Sequence, residues 1–368
     1  MQLVDLGVQY NALKKEIDTA IQKVIDEGTF IFGENLEKLE EEVAAYCGAS
    51  YAVGLNSGTD ALLFAIRNYG IGPGDEVITT PFTFIATAEV IALERAKPVF
   101  VDIDPKTYNI DVSKIEEKIT PNTKAIIPVH LYGQPADMDP ILSIAKKHNL
   151  RVIEDAAQAI GAQYKDKNVT SIGDIGCLSF FPAKNLGAFG DAGMILTNDA
   201  SIAEKMKMMR NHGSKKKYYH EFLGDSSRLD NLQAAILRVK LKHIDEWNEK
   251  RIKNAKLYTE LLRNSQITTP FVLPDAKAVY QQYTIRVPHR NTVQLKLKEL
   301  GIPTAIHYPL PLHLQPVFQK MNYGYREGDF PEAEKACKEV LSLPMYPELN
   351  KDDITTVCES LKKIVKDL

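Results

Sequence analysis

One lysine, Lys184, lies between an apolar stretch and a glycine-rich segment, 29 positions after Asp155 of the Glu154-Asp155 pair. A lysine amine can form a Schiff base with an aldehyde cofactor. A carboxylate that keeps a pyridine nitrogen protonated makes the cofactor ring an electron sink. Most lysines are solvated surface groups, so the prediction depends on the residues around this pair. With those residues, Lys184 and Asp155 indicate pyridoxal-phosphate chemistry.

A segment rich in small and hydroxyl residues, Asn56-Ser57-Gly58-Thr59, begins a predicted helix. The free amides of a helix N-terminus and a nearby hydroxyl can bind a phosphate dianion. Ser179 stands five residues before the lysine and is a second hydroxyl for the same phosphate. We therefore predict a phosphate site at Gly58, Thr59 and Ser179. The alternative is structural, with an ordinary helix N-cap and a buried serine satisfied by the backbone.

Two further side chains could contact the cofactor ring. Phe84 lies in a turn between a predicted strand and the next helix, where an aromatic ring could stack on the pyridine or pack in the core. Gln158 stands three residues after Asp155 and could donate a hydrogen bond to the cofactor phenol oxygen. The alternative for Gln158 is a cap on the following helix.

The composition is that of an ordinary globular protein. The chain has 368 residues, 44% hydrophobic and 25% charged, and its length suits two closely packed domains or a large and a small one. A formal charge of -3 spread over both signs gives no long-range field for a nucleic-acid or membrane partner. The four cysteines form no CxxC pair, so we expect reduced thiols in a cytoplasmic protein and no metal site. We expect neither secretion nor membrane spanning.

Short apolar runs alternate with helical patterns between about residue 50 and residue 200, which predicts βα units on a mostly parallel sheet. The predicted strands are Glu76–Thr79, Val99–Asp102, Ala125–His130, Arg151–Glu154, Leu178–Phe181 and Met194–Thr197. Asp139-Pro140 is expected to open one of the helices, as N-cap and first-turn proline. Asp155 follows its strand directly, and ligands of open α/β sheets bind at that edge.

The C-terminal third is expected to form a smaller α/β unit. Arg238–Leu262 reads as one long, charged helix, and we place the domain boundary within it, giving residues 1–245 and 246–368. The pattern then predicts a strand at Tyr280–Val287, a helix at Thr292–Leu300 and a strand at Thr304–Tyr308.

Five motifs occur in an order that resembles the nucleotide-sugar aminotransferases of the StrS/DegT type. They are Asn-Ser-Gly-Thr-Asp-Ala-Leu, Pro-Phe-Thr-Phe-Ile-Ala-Thr, Val-Ile-Glu-Asp-Ala-Ala-Gln, Ser-Phe-Phe-Pro-Ala-Lys-Asn-Leu-Gly and Ser-Arg-Leu-Asp-Asn-Leu-Gln-Ala-Ala. The resemblance covers nearly the whole chain. It implies a fold type I pyridoxal-phosphate transferase with a large, mixed, mostly parallel sheet domain and a smaller C-terminal α/β domain. It also implies a homodimer with sites at the subunit interface.

The resemblance assigns most of the residues named above to pyridoxal 5'-phosphate. Its cofactor residues are Lys184 for the Schiff base, Asp155 for the pyridine nitrogen, Gln158 for the phenol oxygen, Phe84 for ring stacking, and Gly58, Thr59 and Ser179 for the phosphate.

On the substrate side the resemblance places Arg228, His307 and Tyr308, some of them supplied across the dimer. One position departs from the family pattern. Ser226 stands where the family usually has an asparagine that reaches the partner's cofactor phosphate, and its side chain is shorter.

The implied reaction is amino transfer from L-glutamate to a keto-sugar nucleotide. The resemblance extends to enzymes that aminate C3 of UDP-2-acetamido-2-deoxy-3-oxo-glucuronate, in surface polysaccharide (lipopolysaccharide O-antigen) synthesis. One alternative is a dTDP-linked 3-oxo-6-deoxyhexose. Another is a cofactor-binding regulatory protein without turnover, and a third is a sugar dehydratase, in which a histidine would replace the lysine. The presence of Lys184 favours an aminotransferase.

Overall fold

A seven-stranded mixed sheet lies at the centre of the computed structural model, which describes residues Met1–Leu368. The strands are β1 (Tyr51–Leu55), β2 (Glu76–Thr79), β3 (Lys97–Phe100), β4 (Thr123–Ile126), β5 (Arg151–Asp155), β6 (Gln163–Tyr164), β7 (Lys167–Asn168), β8 (Ile175–Ser179), β9 (Gly193–Thr197), β10 (Ser214–Lys216), β11 (Tyr219–His220), β12 (Ala276–Lys277), β13 (Tyr283–Arg286) and β14 (Val340–Leu343). The helices are α1 (Leu6–Glu27), α2 (Glu34–Cys47), α3 (Gly58–Asn68), α4 (Ala86–Leu93), α5 (Met138–His148), α6 (Ala200–Met209), α7 (Asn231–Leu241), α8 (Ile244–Leu261), α9 (Arg290–Glu299), α10 (Pro316–Lys320), α11 (Pro331–Glu339) and α12 (Lys351–Lys366).

The strand order in the central sheet is β1-β9-β8-β5-β4-β2-β3. The neighbours from β8 to β3 are parallel, and β9 alone runs antiparallel to both of its neighbours. The α/β fold and the mostly parallel sheet are therefore confirmed. The six predicted strands all exist, with ends that differ by up to four residues, and the prediction of strands missed β1.

Helices cover both faces of this sheet. In β9, Met194 and Leu196 pack in a cluster with residues of α1, α2 and α7, whereas Ile195 packs with residues of α3, α4 and α6. Because successive side chains of a strand point to opposite faces, these two clusters lie on the two sides of the sheet.

The C-terminal unit is built on the antiparallel pair of β13 and β14. Helices α8, α9 and α12 contribute to its core, in which the rings of Tyr258 and Tyr283 stack with centroids 4.8 Å apart. Helix α8 joins this core to the rest of the chain, because Trp247 belongs to the cluster that contains α1 and α2. The division into residues 1–245 and 246–368 falls near the start of α8 and stays a prediction.

The prediction of one helix over Arg238–Leu262 is wrong. The chain forms two helices there, since α7 ends at Leu241 and α8 begins at Ile244. Neither glycine nor proline marks the break. Helix α7 and the first turns of α8 pack in one core cluster, whereas the later part of α8 packs in the core of the C-terminal unit. Tertiary packing thus overrides a sequence that favours helix throughout.

Two other local predictions are also wrong. Thr304–Tyr308 forms no strand, and only Ala305 makes an isolated bridge, to Ser342. Prolines on both sides of this segment remove backbone donors, which explains the short pairing. The N-cap of α5 is Asp137, two residues before the predicted Asp139, whereas the proline lies in the first turn as predicted.

None of the helices combines the length and the apolar character that crossing a membrane requires.

We expect Gly193→Ala to destabilise the protein, because β9 begins in close contact with the start of α3. A β-carbon at Gly193 would lie 2.2 Å from the carbonyl carbon of Ser57, a backbone atom that can move only with the helix. Overpacking of this kind costs about 1–3 kcal/mol. Urea unfolding measures the change. The matched control is Gly72→Ala, where the nearest atom would be 3.7 Å away and the change should stay within about 0.5 kcal/mol. Equal stability of the two variants would contradict this account.

Candidate active site

Asp155 is the last residue of β5 and lies buried at the carboxyl edge of the sheet. Its Oδ2 accepts a hydrogen bond of 2.7 Å from Oγ1 of Thr87, in the first turn of α4. Its Oδ1 accepts a bond of 3.2 Å from the amide of Ala157. Burial raises the pKa of Asp155, and these two hydrogen bonds and the charge of Lys184 oppose the rise. A cation placed beside this carboxylate would keep it ionised.

Lys184 follows β8 and is half-buried in the loop that leads to β9. Its backbone amide donates to the carbonyl of Phe181 at 2.8 Å, which holds the loop in a turn. Burial lowers the pKa of the Lys184 amine to about 8, and the negative charge of Asp155 opposes the shift. A neutral amine is the nucleophilic form, so the environment favours reaction with an aldehyde near neutral pH.

The predicted phosphate residues meet where α3 begins. The side chain of Ser57 caps this helix by accepting from the amide of Asp60 at 3.0 Å. The first amides of an α-helix have no partner inside it and can bind an anion. A β-carbon at Gly58 would lie 2.7 Å from Cβ of Ser179, so the glycine allows α3 to reach the end of β8. Gly58 and Ser179 are thus in close contact, and Thr59 follows Gly58 in the first turn of α3.

These features fit pyridoxal phosphate. The start of α3 offers helix amides beside Ser179, Lys184 offers an amine without a hydrogen-bond partner, and Asp155 offers a buried carboxylate. They match the phosphate, the aldehyde and the pyridine nitrogen of the cofactor, respectively.

Gln158 and Tyr308 form the next part of the site. Oε1 of Gln158 accepts from the amide of Tyr132 at 2.6 Å, and its Nε2 donates to the hydroxyl of Tyr308 at 3.1 Å. The amide nitrogen carries a second hydrogen, which is available to a cofactor oxygen. The ring of Phe84 is exposed and lies 6.3 Å from that of Tyr308. Phe84 therefore borders the site without being packed in the core.

His307 is held as a neutral imidazole. Its Nδ1 lies 2.9 Å from Oγ of Ser342, which in turn lies 2.8 Å from Oγ1 of Thr284. Both hydroxyl residues are buried. Burial and the nearby charge of Lys184 lower the pKa of His307 to about 4. The hydroxyl of Tyr132 also donates to the His307 carbonyl, which fixes the backbone at this point.

The segment Ser226–Arg228 lies beside α3, but its two predicted site residues contact each other. Oγ of Ser227 donates to Asp60 at 2.6 Å and accepts from the amide of Asn56 at 3.3 Å. Nη2 of Arg228 donates to Oγ of Ser226 at 2.8 Å. Lys184 lies near enough to Asp155 and His307 for their charges to interact, and Gln158 and Phe84 both lie beside Tyr308. The contact of the Arg228 side chain is with Ser226.

Sequence reasoning assigned no role to Thr87, although it stands in a motif that we had identified. A hydroxyl in the first turn of a helix that follows another parallel strand of the same sheet was the available signal. The buried pair of His130 and Glu154 was also missed. Nε2 of His130 lies 3.0 Å from the Glu154 carboxylate, which also accepts three backbone amides. No group of three or more His, Cys, Asp or Glu residues is placed to hold a metal.

Comparison with protein families gives a match to the model described as the DegT/DnrJ/EryC1/StrS aminotransferase family, over residues 11–362. Several curated relatives match almost end to end. The chain is 54% identical to the "Pleiotropic regulatory protein" of Geobacillus stearothermophilus, which covers 99% of this chain and 98% of the relative.

Three other relatives are named as enzymes that act on nucleotide sugars. The UDP-N-acetyl-3-dehydro-alpha-D-glucosamine 3-aminotransferase of Acidithiobacillus ferrooxidans is 47% identical, over 98% of this chain and 97% of the relative. The UDP-2-acetamido-2-deoxy-3-oxo-D-glucuronate aminotransferase of Pseudomonas aeruginosa is 46% identical, over 98% and 99%. The dTDP-3-amino-3,4,6-trideoxy-alpha-D-glucose transaminase of Streptomyces venezuelae is 42% identical, over 98% and 95%.

Solved structures agree in fold. DesV of S. venezuelae, crystallised in complex with a ketimine intermediate, superposes with a TM-score of 0.97 at 41% identity, covering 100% of this chain and 99% of that chain. The Bacillus subtilis ntda structure with bound cofactor PMP gives a TM-score of 0.90 at 34% identity, covering 99% and 83%.

In cofactor-free protein, we expect the Lys184 amine to titrate with a pKa of about 8, below its ordinary value of 10.5. Asp155→Asn should lower this pKa further, because the carboxylate favours the protonated amine. The pH dependence of acetylation, mapped to Lys184 by mass spectrometry, measures both values. Asp191→Asn is the control, since this exposed aspartate is not among the groups that shift Lys184. A midpoint near 10.5, or a rise in Asp155→Asn, would contradict the assignment.

Proposed function

Because the chain belongs to the DegT/DnrJ/EryC1/StrS aminotransferase family, and is a pyridoxal-phosphate-dependent sugar aminotransferase, we propose a specific reaction for it. The enzyme transfers the amino group of L-glutamate to C3 of UDP-2-acetamido-2-deoxy-3-oxo-glucuronate. The observation that carries the proposal is the Lys184 amine, with its lowered pKa, beside the buried carboxylate of Asp155. The two UDP-sugar relatives support the acceptor.

Each predicted cofactor residue has a separate task in this proposal. When bound, pyridoxal phosphate supplies an aldehyde and an electron-accepting ring. Asp155 holds the proton on the pyridine nitrogen, and Thr87 orients the carboxylate. Lys184, with its lowered pKa, would act as the base that takes the proton from Cα of glutamate. The start of α3 and Ser179 hold the phosphate.

The acceptor side is proposed to use His307, Tyr308 and Arg228. His307 is neutral, so it can bind a keto-sugar oxygen without placing a second cation beside Lys184. Arg228 supplies a charge-assisted contact to the uronate carboxylate or to the diphosphate.

We propose that the enzyme is a homodimer with sites at the interface. Several large apolar side chains are exposed around the beginning of α7, among them Phe30, Ile31 and Phe189. Ile31 bridges to Asp230, and the backbone of Phe189 bonds to the side chain of Gln233. This exposed apolar surface suits a second copy. In such a dimer Arg228 and Ser226 serve the partner's site, away from the Lys184 of their own chain.

We further propose a cytoplasmic location, in keeping with four free cysteines, and a role in surface polysaccharide (lipopolysaccharide O-antigen) synthesis. The dTDP-linked 3-oxo-6-deoxyhexose is the second candidate acceptor, supported by the dTDP-sugar relative. A regulatory role without turnover has the support of the relative named as a regulatory protein. The presence of Lys184 favours turnover over that role.

Purified holoenzyme should be converted to its amino form by L-glutamate and returned fastest by the UDP-linked 3-oxo-uronate. Single-turnover absorbance measures both half-reactions, and borohydride reduction with mass mapping should locate the cofactor on Lys184.

Arg228→Ala should spare the glutamate step and slow the keto-sugar step. Loss of a charge-assisted hydrogen bond is worth roughly 1.5–3 kcal/mol, which is about ten- to more than a hundredfold.

Three acceptors make this assay decisive. They are the UDP-linked uronate, its C6 alcohol analogue and a dTDP-linked 3-oxo-6-deoxyhexose. Preference for the dTDP sugar would identify the 3-oxo-6-deoxyhexose as the acceptor. Equal rates with the UDP-linked uronate and its C6 alcohol analogue would show that no protein group contacts the uronate carboxylate. Bound cofactor without amino transfer from glutamate to any acceptor would point to the regulatory alternative.

Mixing inactive protomers tests the composite site. In a heterodimer of Lys184→Ala and Arg228→Ala chains, an Arg228 that acts across the interface leaves one site intact and places both changes in the other. Activity should therefore reappear. The control mixes Lys184→Ala with Asp155→Asn chains, whose changes affect their own subunit's site, and no activity should return. Without recovery in verified Lys184→Ala/Arg228→Ala heterodimers, Arg228 would belong to its own chain's site.

A further inference from the structure

Every second residue of the segment that carries Lys184 is hydrogen-bonded to a residue between positions 233 and 281. These ties are Gln281 Nε2 to the Ala183 carbonyl at 3.2 Å, Asn185 Nδ2 to Asn248 Oδ1 at 2.7 Å and to the Val279 carbonyl at 3.1 Å, Lys240 Nζ to the Gly187 carbonyl, and Gln233 to the amide and carbonyl of Phe189 at 2.8 and 3.2 Å. Lys184 lies between the first two tied residues, and its own side chain takes no part in them.

Lys240 is the unusual member of this set, because it is a lysine with only 2% of its surface exposed. It lies in α7, and its hydrogen-bond acceptor is the Gly187 carbonyl. Its ammonium also lies 5.5 Å from the ring centroid of Phe189 and 6.0 Å from that of Trp247. No carboxylate lies within ion-pair distance, and the charge of Glu348 acts on it only from farther away. Burial lowers the pKa of Lys240 to about 8.

Gly187 has little freedom to move away from Lys240. A β-carbon at Gly187 would lie 2.1 Å from the carbonyl oxygen of Pro182, so the backbone closes tightly on itself around Lys184. The next amide, of Ala188, donates to the Phe180 carbonyl at 2.8 Å. The Gly187 carbonyl accepts its hydrogen bond from outside the loop, and the donor is the Lys240 ammonium.

A buried ammonium without a carboxylate partner is expensive, and an apolar side chain of similar size would avoid that cost. Lys240 therefore does not serve stability alone. We propose that Lys240 is a positioning residue: its ammonium, bound to the Gly187 carbonyl and flanked by two aromatic rings, fixes the loop that presents Lys184. The proposal rests on the proposed role of Lys184 and adds a contact that acts through the backbone.

The test compares Lys240→Met, which keeps the apolar stem and removes the donor, with Lys240→Gln, which keeps a neutral donor. Lys242→Met is the control, since that lysine is exposed two positions away. In Lys240→Met, hydrogen exchange at the amides of Ala188 and Phe189 should accelerate by on the order of tenfold or more, while thermal stability is unchanged or higher. The glutamate half-reaction of the holoenzyme should slow by a similar factor, and KM should change little. Lys240→Gln should restore part of both effects.

Unchanged exchange at Ala188 and Phe189 in Lys240→Met would overturn the proposal. So would loss of thermal stability in step with activity, because that pattern describes a structural lysine. If Lys240→Met does not fold, Lys240→Gln against Lys242→Met decides by the same two readouts. If the wild type itself does not react with glutamate, the proposed function fails, yet exchange in cofactor-free protein still tests the contact between Lys240 and the loop.

Discussion

Two ionisable groups of opposite sign share a desolvated position at the carboxyl edge of the sheet. Burial drives Lys184 and Asp155 toward their neutral forms, and each opposes that shift in the other. This balance makes the amine reactive near neutral pH and leaves the carboxylate able to hold a cation. It survives only if both side chains stay in place. Thr87 holds one of them from α4, and the ties to the loop after β8 hold the other.

The same strand carries a second buried carboxylate, Glu154, whose role is structural. Glu154 and Asp155 are consecutive, so their side chains point to opposite faces of the sheet. Glu154 is fully enclosed and satisfied by His130 and three backbone amides, which rigidifies the loop at residues 170–173. Asp155 keeps capacity for one more partner. One dipeptide therefore provides an internal support and a site residue at once.

Much of this arrangement could be predicted from the sequence, and the reason is local. Glu76–Thr79 is a short apolar strand with correct ends, and the Ser-Gly-Thr segment begins α3 as expected. Asp155 ends β5 and Lys184 follows β8, and these two strands are neighbours in the sheet. Predicting the two strands was therefore enough to predict that both residues lie at the same edge. The break between α7 and α8 has no local signal, because packing alone decides it. Lys240 and Gln281 reach the loop from distant parts of the chain, and no pattern within one segment indicates such a contact.

The reversed direction of β9 has a mechanical consequence. Because β9 runs antiparallel to β8, the loop that carries Lys184 leaves and re-enters the sheet at one edge, with Ser179 paired to Gly193 and the Phe180 amide bonded to the Ala192 carbonyl. A connection clamped at its base in this way has no hinge and cannot swing open as a lid. The reactive amine is therefore presented from a connection whose two ends are bonded to each other at the edge of the sheet.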